Sequence, residues 1–146
     1  MRLSTYLSFS GNCEEALNLY SEVFGGKVEY KSLYSDNKDM CKNLPNSWQN
    51  KIMHASFRAG EISFMASDVM ESENGPCGTV KLIPEGSPIT LSLNFEDETK
   101  QKEIFDKLAK DGIVTMQLQD TFWGARFGML TDKFGIKWMF NCEQAK

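Results

Sequence analysis

The chemistry available to this chain rests on a few side chains. His54, in KIMHASF, is its one histidine. An imidazole exchanges protons near neutral pH, so His54 could be a general base or hydrogen-bond a substrate inside a sheet. It could equally be a core or rim histidine satisfied by one bond. It reads as sharing a strand face with Ile52 and Ser56. Arg126, in FWGARFG, could clamp an anion through two parallel bonds, or form an ion pair with Asp132 or Asp120. Asp68 closes MASD, either as a carboxylate at a pocket mouth or as a strand-end turn or cap residue. Trp48 ends a polar loop and could close over a pocket. Trp123 sits in the aromatic run Phe122–Phe127, which serves core, dimer contact or ligand platform. Gln119 and Asp120 precede that run as further polar candidates. Tyr6 shares a small polar strand face with Ser4 and Ser8.

Those residues are placed by a pattern that occurs twice. LSTYLSFSGN followed by CEEALNLYSEVF reads as a strand and then a helix. The pattern returns about 85 residues later as ITLSLNFED and ETKQKEIFDKLA. GEISFMAS then matches FGIKWMFN, at the shorter offset of about 74 because the first copy carries an extra polar loop, roughly 35–49. Residues 3–9 alternate: Leu3, Thr5, Leu7 and Phe9 face the helices, and Ser4, Tyr6 and Ser8 face solvent or a cavity. Ile89, Leu91, Leu93 and Phe95 against Thr90, Ser92 and Asn94 repeat this. Asn12 with Glu15 predicts a capping box, and Gly25-Gly26 ends that helix. Strands are predicted at about 27–34, 50–58 and 61–67, a second helix at about 98–110, and strands at about 113–119, 125–132 and 135–141. Gly124 and Gly128 are read as serving backbone geometry, a bulge or a close approach of strands.

The composition excludes several classes of function. Net charge is −4 and the basic residues are scattered, which argues against nucleic acid as a partner. No apolar run reaches the ~18–20 residues of a membrane span. MRLSTYLSF is too short and too polar in its alternation for a signal peptide. Cys13, Cys41, Cys77 and Cys142 form no C-x-x-C pair, so a thiolate zinc site is not expected, and free thiols in a reducing cytoplasm are. With one histidine, a two-His-one-carboxylate centre cannot form within one chain. The methionines, Met53, Met65, Met116, Met129 and Met139 among them, suit an adaptable apolar lining or plain core filling.

FSGNCEEALNLYSEVFGG near the start and LQDTFWGARFGMLTDKFGIKWMFN at the end resemble the vicinal oxygen chelate superfamily, the fold of glyoxalases, bleomycin-resistance proteins and extradiol dioxygenases. Within it the chain looks like the PhnB-like branch, some members of which are labelled 3-demethylubiquinone methyltransferases. KIMHASF and FMASD fit the same branch. The resemblance implies metal ligands on the first and last strands of each module. Here those positions align with Ser4 and Thr90, give or take one, with Phe64 or Met65, and with Trp138 or Met139. None is a good ligand for a divalent ion. No strand runs into a glycine-rich turn suited to S-adenosylmethionine.

The reading is therefore an α+β chain of two βαβββ modules, whose mixed sheets curl around a concave cavity. A single domain over 1–146 is expected, with module one at about 1–70, a linker at about 71–88 and module two at about 89–146. The expected function is binding of a small organic molecule, anionic ones included, without metal or other cofactor, in a cytoplasmic homodimer. His54 is the catalytic candidate. Arg126, Trp48, Asp68, Gln119, Trp123 and Tyr6 are the binding candidates. The alternatives are a metal-dependent lyase, isomerase or dioxygenase, and a resistance-type protein that sequesters a drug.

Overall fold

Alternation of small polar and large apolar residues makes the first strand, β1 (Tyr6–Phe9), in which Leu7 and Phe9 are buried and Tyr6 and Ser8 exposed. The computed structural model describes residues 1–37, 44–70, 72–75, 78–80 and 88–144. The expected loop residues 38–43, with Cys41 and Asn43, lie outside the described residues, as do Cys77 and residues 81–87 of the expected linker.

Two compact units divide the chain, Met1–Ile83 and Pro84–Lys146. In the first, β1 leads to α1 (Cys13–Phe24), β2 (Lys27–Leu33), β3 (Ile52–Ala59) and β4 (Ile62–Asp68), in the sheet order β1-β4-β3-β2. Strand β1 runs parallel to β4, and the other pairs are antiparallel. Within the stretch expected as linker, β5 (Ser72–Gly75) and β6 (Gly78–Val80) pair antiparallel. In the second unit, β7 (Leu91–Phe95) leads to α2 (Glu98–Ala109), β8 (Ile113–Asp120), β9 (Ala125–Thr131) and β10 (Lys137–Glu143), in the order β7-β10-β9-β8. The expected two βαβββ modules with mixed sheets are thus what the chain forms. Tyr6 pairs with Met65 in one sheet and Ser92 with Met139 in the other, the correspondence that the repeat requires.

One helix packs on one face of each sheet. Helix α1 buries Cys13, Ala16, Leu17, Tyr20 and Val23. Tyr20 meets Phe64 edge-on at 5.7 Å, and Phe64 stacks on Phe57 at 4.8 Å. Helix α2 buries Ile104, Phe105 and Leu108, with Phe105 edge-on to Phe140 at 5.0 Å. Gly128 admits that contact, because a Cβ there would lie 2.9 Å from the Leu118 side chain and 3.1 Å from the Phe105 ring. Gly25 ends α1 at φ 68°.

The expected capping box is corrected. Asn12 makes no side-chain cap bond. The first turn of α1 is capped from another strand: Asp68 Oδ1 accepts the Cys13 N–H at 2.9 Å, and Oδ2 accepts the Ile52 N–H at 2.9 Å. A carboxylate is a stronger acceptor than an amide and complements the positive end of the helix. Helix α2 uses a local device instead, with Asp97 accepting from the Thr99 N–H at 2.7 Å.

Asp68 is 1% exposed. Asp68→Ala leaves two buried N–H groups without acceptors, and is expected to lower unfolding free energy by about 3 kcal/mol. Lys31→Ala removes only the exposed pair with Glu14, and is expected to change it by less than about 0.5 kcal/mol. Urea midpoints at constant m-value measure both.

Candidate functional site

The face of the first sheet turned away from α1 is organised by register. Tyr6 stands beside Met65, Met65 beside Ser56, and Ser56 beside Tyr30, one row across four strands. In the next row, Ser8 of β1 stands beside Ser67 of β4, and His54 of β3 beside Ser32 of β2. Tyr6 reaches across β4, and its hydroxyl lies 3.1 Å from His54 Nδ1. Its ring centroid is 5.7 Å from that of the imidazole, at a tilt of 39°. Tyr30 approaches from the opposite edge, at 6.1 Å and 48°. Tyr6 is 45% and Tyr30 57% exposed, so both rings remain open to solvent in the chain. The Tyr6 hydroxyl occupies Nδ1, as donor or acceptor according to the imidazole tautomer, and leaves Nε2 for a ligand. Ile52, expected on this face, is buried instead. The register slips between Ser32 and Leu33, and Ile52 rather than Met53 stands opposite Leu33.

Trp48 and Asp68 meet at Tyr34. The Tyr34 hydroxyl donates to the Asp68 carbonyl at 2.7 Å, and burial, then the nearby Asp68 charge, pushes its pKa up. Trp48 lies edge-on to Tyr34 at 6.1 Å and beside Gly11, whose carbonyl accepts from Lys51 Nζ at 2.6 Å. Both Asp68 carboxylate oxygens are occupied by backbone donors, so this group acts where β1 passes into α1.

In the second module the corresponding row is Ser92, Met139, Met129 and Met116, and next to it Asn94 pairs with Asn141 and Phe127 with Gln119. Trp123, from the turn between β8 and β9, leans edge-on against Phe127 at 6.0 Å and against Phe122 at 5.0 Å. Gln119 and Trp123 are therefore grouped around Phe127. Arg126 is not with them, which corrects its expected place on the concave side. It points to the helix side, where its Nη1 lies 3.3 Å from Glu98 Oε2 in the first turn of α2. The partner is Glu98 rather than Asp132 or Asp120. Asp132 is buried and accepts from the Phe134 and Ile136 N–H groups and from Trp138 Nε1. Asp120 accepts from Gln144 at 2.8 Å. Buried Gln101 donates to the Arg126 carbonyl at 2.8 Å.

Sequence reasoning missed Tyr30 as a site residue, and named Phe127 only as one aromatic among several. Tyr30 lies on an edge strand with irregular register, so no alternation marks its face. The repeat was the signal that could have found it, because it aligns Tyr30 with Met116.

A divalent metal does not fit these faces. Ser4 and Thr90 fall just outside their strands, and Phe64 and Trp138 are buried. The first- and last-strand residues that stand together are Tyr6 with Met65, Ser8 with Ser67, Ser92 with Met139, and Asn94 with Asn141. None is an imidazole, carboxylate or thiolate. Among the described residues no three His, Cys, Asp or Glu side chains come together.

Residues 2–140 match the family model for the glyoxalase/bleomycin resistance protein/dioxygenase superfamily. Protein YjdN of Escherichia coli K12 is 36% identical over 97% of this chain and 95% of its own length. The crystal structure of protein PA1353 from Pseudomonas aeruginosa superimposes with a TM-score of 0.77 at 38% identity, over 99% of both chains. A Bacillus cereus PhnB protein, described as a putative 3-demethylubiquinone-9 3-methyltransferase, superimposes with a TM-score of 0.75 at 28% identity, over 97% of this chain and 99% of its own.

Among the described residues, thiol chemistry does not compete with the imidazole. Cys13 and Cys142 are free and buried. Burial, then Asp68, then Glu14 push Cys13 from 9.0 up to about 12. Cys142 is raised by burial, then by Glu98 and Asp97. Both stay protonated, and so non-nucleophilic, near neutral pH. The raised Cys13 value stabilises the fold fully below the unfolded thiol's value near 9.0, and that contribution is lost as pH climbs toward about 12. Unfolding free energy is expected to fall with rising pH in that window, by up to about 1.4 kcal/mol per pH unit from this thiol. Cys13→Ala makes the decline shallower, which urea titrations between pH 8 and 11 would measure (the range is an approximate choice bracketing the window).

Proposed function

Because the chain belongs to the glyoxalase/bleomycin resistance protein/dioxygenase superfamily, we propose that it is a PhnB-like protein that binds a small organic molecule on the helix-free face of its first sheet, without a metal ion. The observation that carries this reading is the Tyr6–His54 hydrogen bond at 3.1 Å, on a solvent-accessible face flanked by Tyr30. A polar pair is held there among exposed aromatic surface, which suits recognition of a ligand with an apolar body and one hydrogen-bonding group. Arg126, the expected anion clamp, is committed to Glu98 in the second module, and Arg58, on the same face of β3 as His54, is paired with Glu29 at 3.1 Å. Methyl transfer from S-adenosylmethionine has no support in the residues: β1 passes to α1 through Ser10-Gly11-Asn12, and β7 passes to α2 through Glu96-Asp97.

We place the protein in the cytoplasm as a homodimer. The free thiols at Cys13 and Cys142 favour a reducing compartment. Phe122 at 97% and Trp123 at 57% exposure form an aromatic knob suited to a second copy of the chain. Among the described residues no helix is long and apolar enough to cross a membrane.

Compounds found by thermal-shift screening are expected to bind His54→Leu about 10-fold more weakly, with little change in Tm and no effect of EDTA on the wild type. One tightly held Ni, Zn, Fe or Mn ion per chain, needed for binding, would overturn the metal-free reading. Sedimentation at roughly 10–50 μM is expected to give a dimer that Phe122→Ser and Trp123→Ser together dissociate; a wild-type monomer would count against the assembly.

A further inference from the structure

We infer that the second module binds one soft monovalent cation, Cu(I) or its redox-inert analogue Ag(I), through the thioethers of Met116, Met129 and Met139 on its helix-free face. Met139 of β10 stands opposite Met129 of β9, and Met129 opposite Met116 of β8. Directly paired residues project to the same side of a sheet, so the three methionines form one row across three adjacent strands. Neighbouring strands lie about 4.8 Å apart. An unbranched side chain with three rotatable bonds crosses that gap, so the two outer sulfurs can close on an ion above Met129. Met116 is 37% exposed, and Met129 and Met139 are half-buried, so an ion reaches the row without opening the core. Core filling does not account for the row, because the core of this module, with Phe105, Leu130 and Phe140, lies on the other face.

The donor set selects the ion. A thioether carries no charge and no titratable proton, and is a soft ligand that suits Cu(I) rather than hard ions such as magnesium or manganese. The row that offers a divalent ion no imidazole, carboxylate or thiolate thus offers a soft ion three matched donors. Lys137 lies two residues from Met139 on the same face of β10. Its ammonium repels a singly charged ion half as strongly as a doubly charged one, which favours the monovalent class.

The first module does not repeat the arrangement. Its corresponding row is Tyr6, Met65, Ser56 and Tyr30, with one thioether. The ion is separate from the ligand face of the first sheet, and neither proposal rests on the other. Cys13 and Cys142 are buried and protonated, so they do not compete for it. Cys41 and Cys77 lie outside the described residues, and the test removes them.

Isotope-labelled methyl signals distinguish the eight methionines by NMR. The full-length Cys41→Ser/Cys77→Ser variant is titrated with silver nitrate in chloride-free buffer, and separately with Cu(I) kept reduced by ascorbate. The expected result is a joint, saturable shift of the Met116, Met129 and Met139 signals, complete at one ion per chain with either metal, while zinc leaves them in place. Met129→Leu keeps the volume. It is expected to weaken Ag(I) binding at least about 10-fold, the loss that removing even an outer contact of a metal site brings. Met53→Leu leaves the affinity unchanged. Silver that moves the His54 ring protons and not these three methyl signals overturns the site, as does an unchanged affinity in Met129→Leu. Equal shifts with zinc overturn the soft-ion class.

Discussion

The first module depends on where the Asp68 carboxylate sits. Parallel pairing of β1 with β4 sets Asp68 beside Phe9, at the point where the chain leaves the sheet and enters α1. There one oxygen closes the helix and the other holds the start of β3, while the Asp68 carbonyl takes the Tyr34 hydroxyl. A group buried to 1% exposure with both oxygens engaged tolerates little displacement. It pins the first turn of α1, which directly follows β1, and the start of β3 to β4, at one end of the strands that carry Tyr6 and His54. The bond between those two side chains follows from that constraint.

The second module shares the topology but exchanges the chemistry. The position opposite Phe95, where the repeat places the Asp68 equivalent, is Cys142. The acid has moved to the helix: Asp97 caps α2 locally, and Glu98 in the first turn binds Arg126. Arg126 is therefore part of a latch between α2 and the sheet, reinforced by Gln101 on its carbonyl and by Gln144 bridging Asp120 and Glu98. Duplication kept the scaffold, and each copy found its own way to satisfy the same helix terminus. That freedom left the helix-free faces to diverge, one toward tyrosine, imidazole and hydroxyls, the other toward methionine and amides.

Much of the scaffold was legible in the sequence because it depends on short-range periodicity. The alternation in β1 and β7, the helical stripes ending at Gly25 and near Asp111, and the two offsets of the repeat each sit within a few turns or strands of chain. The features that were not legible depend on contacts distant in sequence. Asn12 with Glu15 is a good local cap, but Asp68 supplies a charged acceptor from another strand, and nothing near Asn12 reveals it. Arg126 sits in an aromatic run that invites a ligand reading, yet its face is set by pairing with Cys142 on β10, which points it toward α2. Tyr30 and Ile52 were obscured by register shifts between β2 and β3, which break the period of two on which face assignment relies.

In a sheet with ionic ligands, a metal would fix a substrate by a few strong, directional bonds. With Tyr6, Met65, Ser92 and Met139 on the paired first and last strands, that source of orientation does not fit. On the proposed binding face the groups on offer are broader and weaker: two tyrosine rings tilted to an imidazole by 39° and 48°, with small hydroxyls and a thioether beside them. Tyr6 sets an aromatic ring beside the imidazole at a tilt of 39°, and its hydroxyl holds the imidazole through Nδ1. The Tyr6–His54 bond is therefore the element that gives the aromatic face directionality.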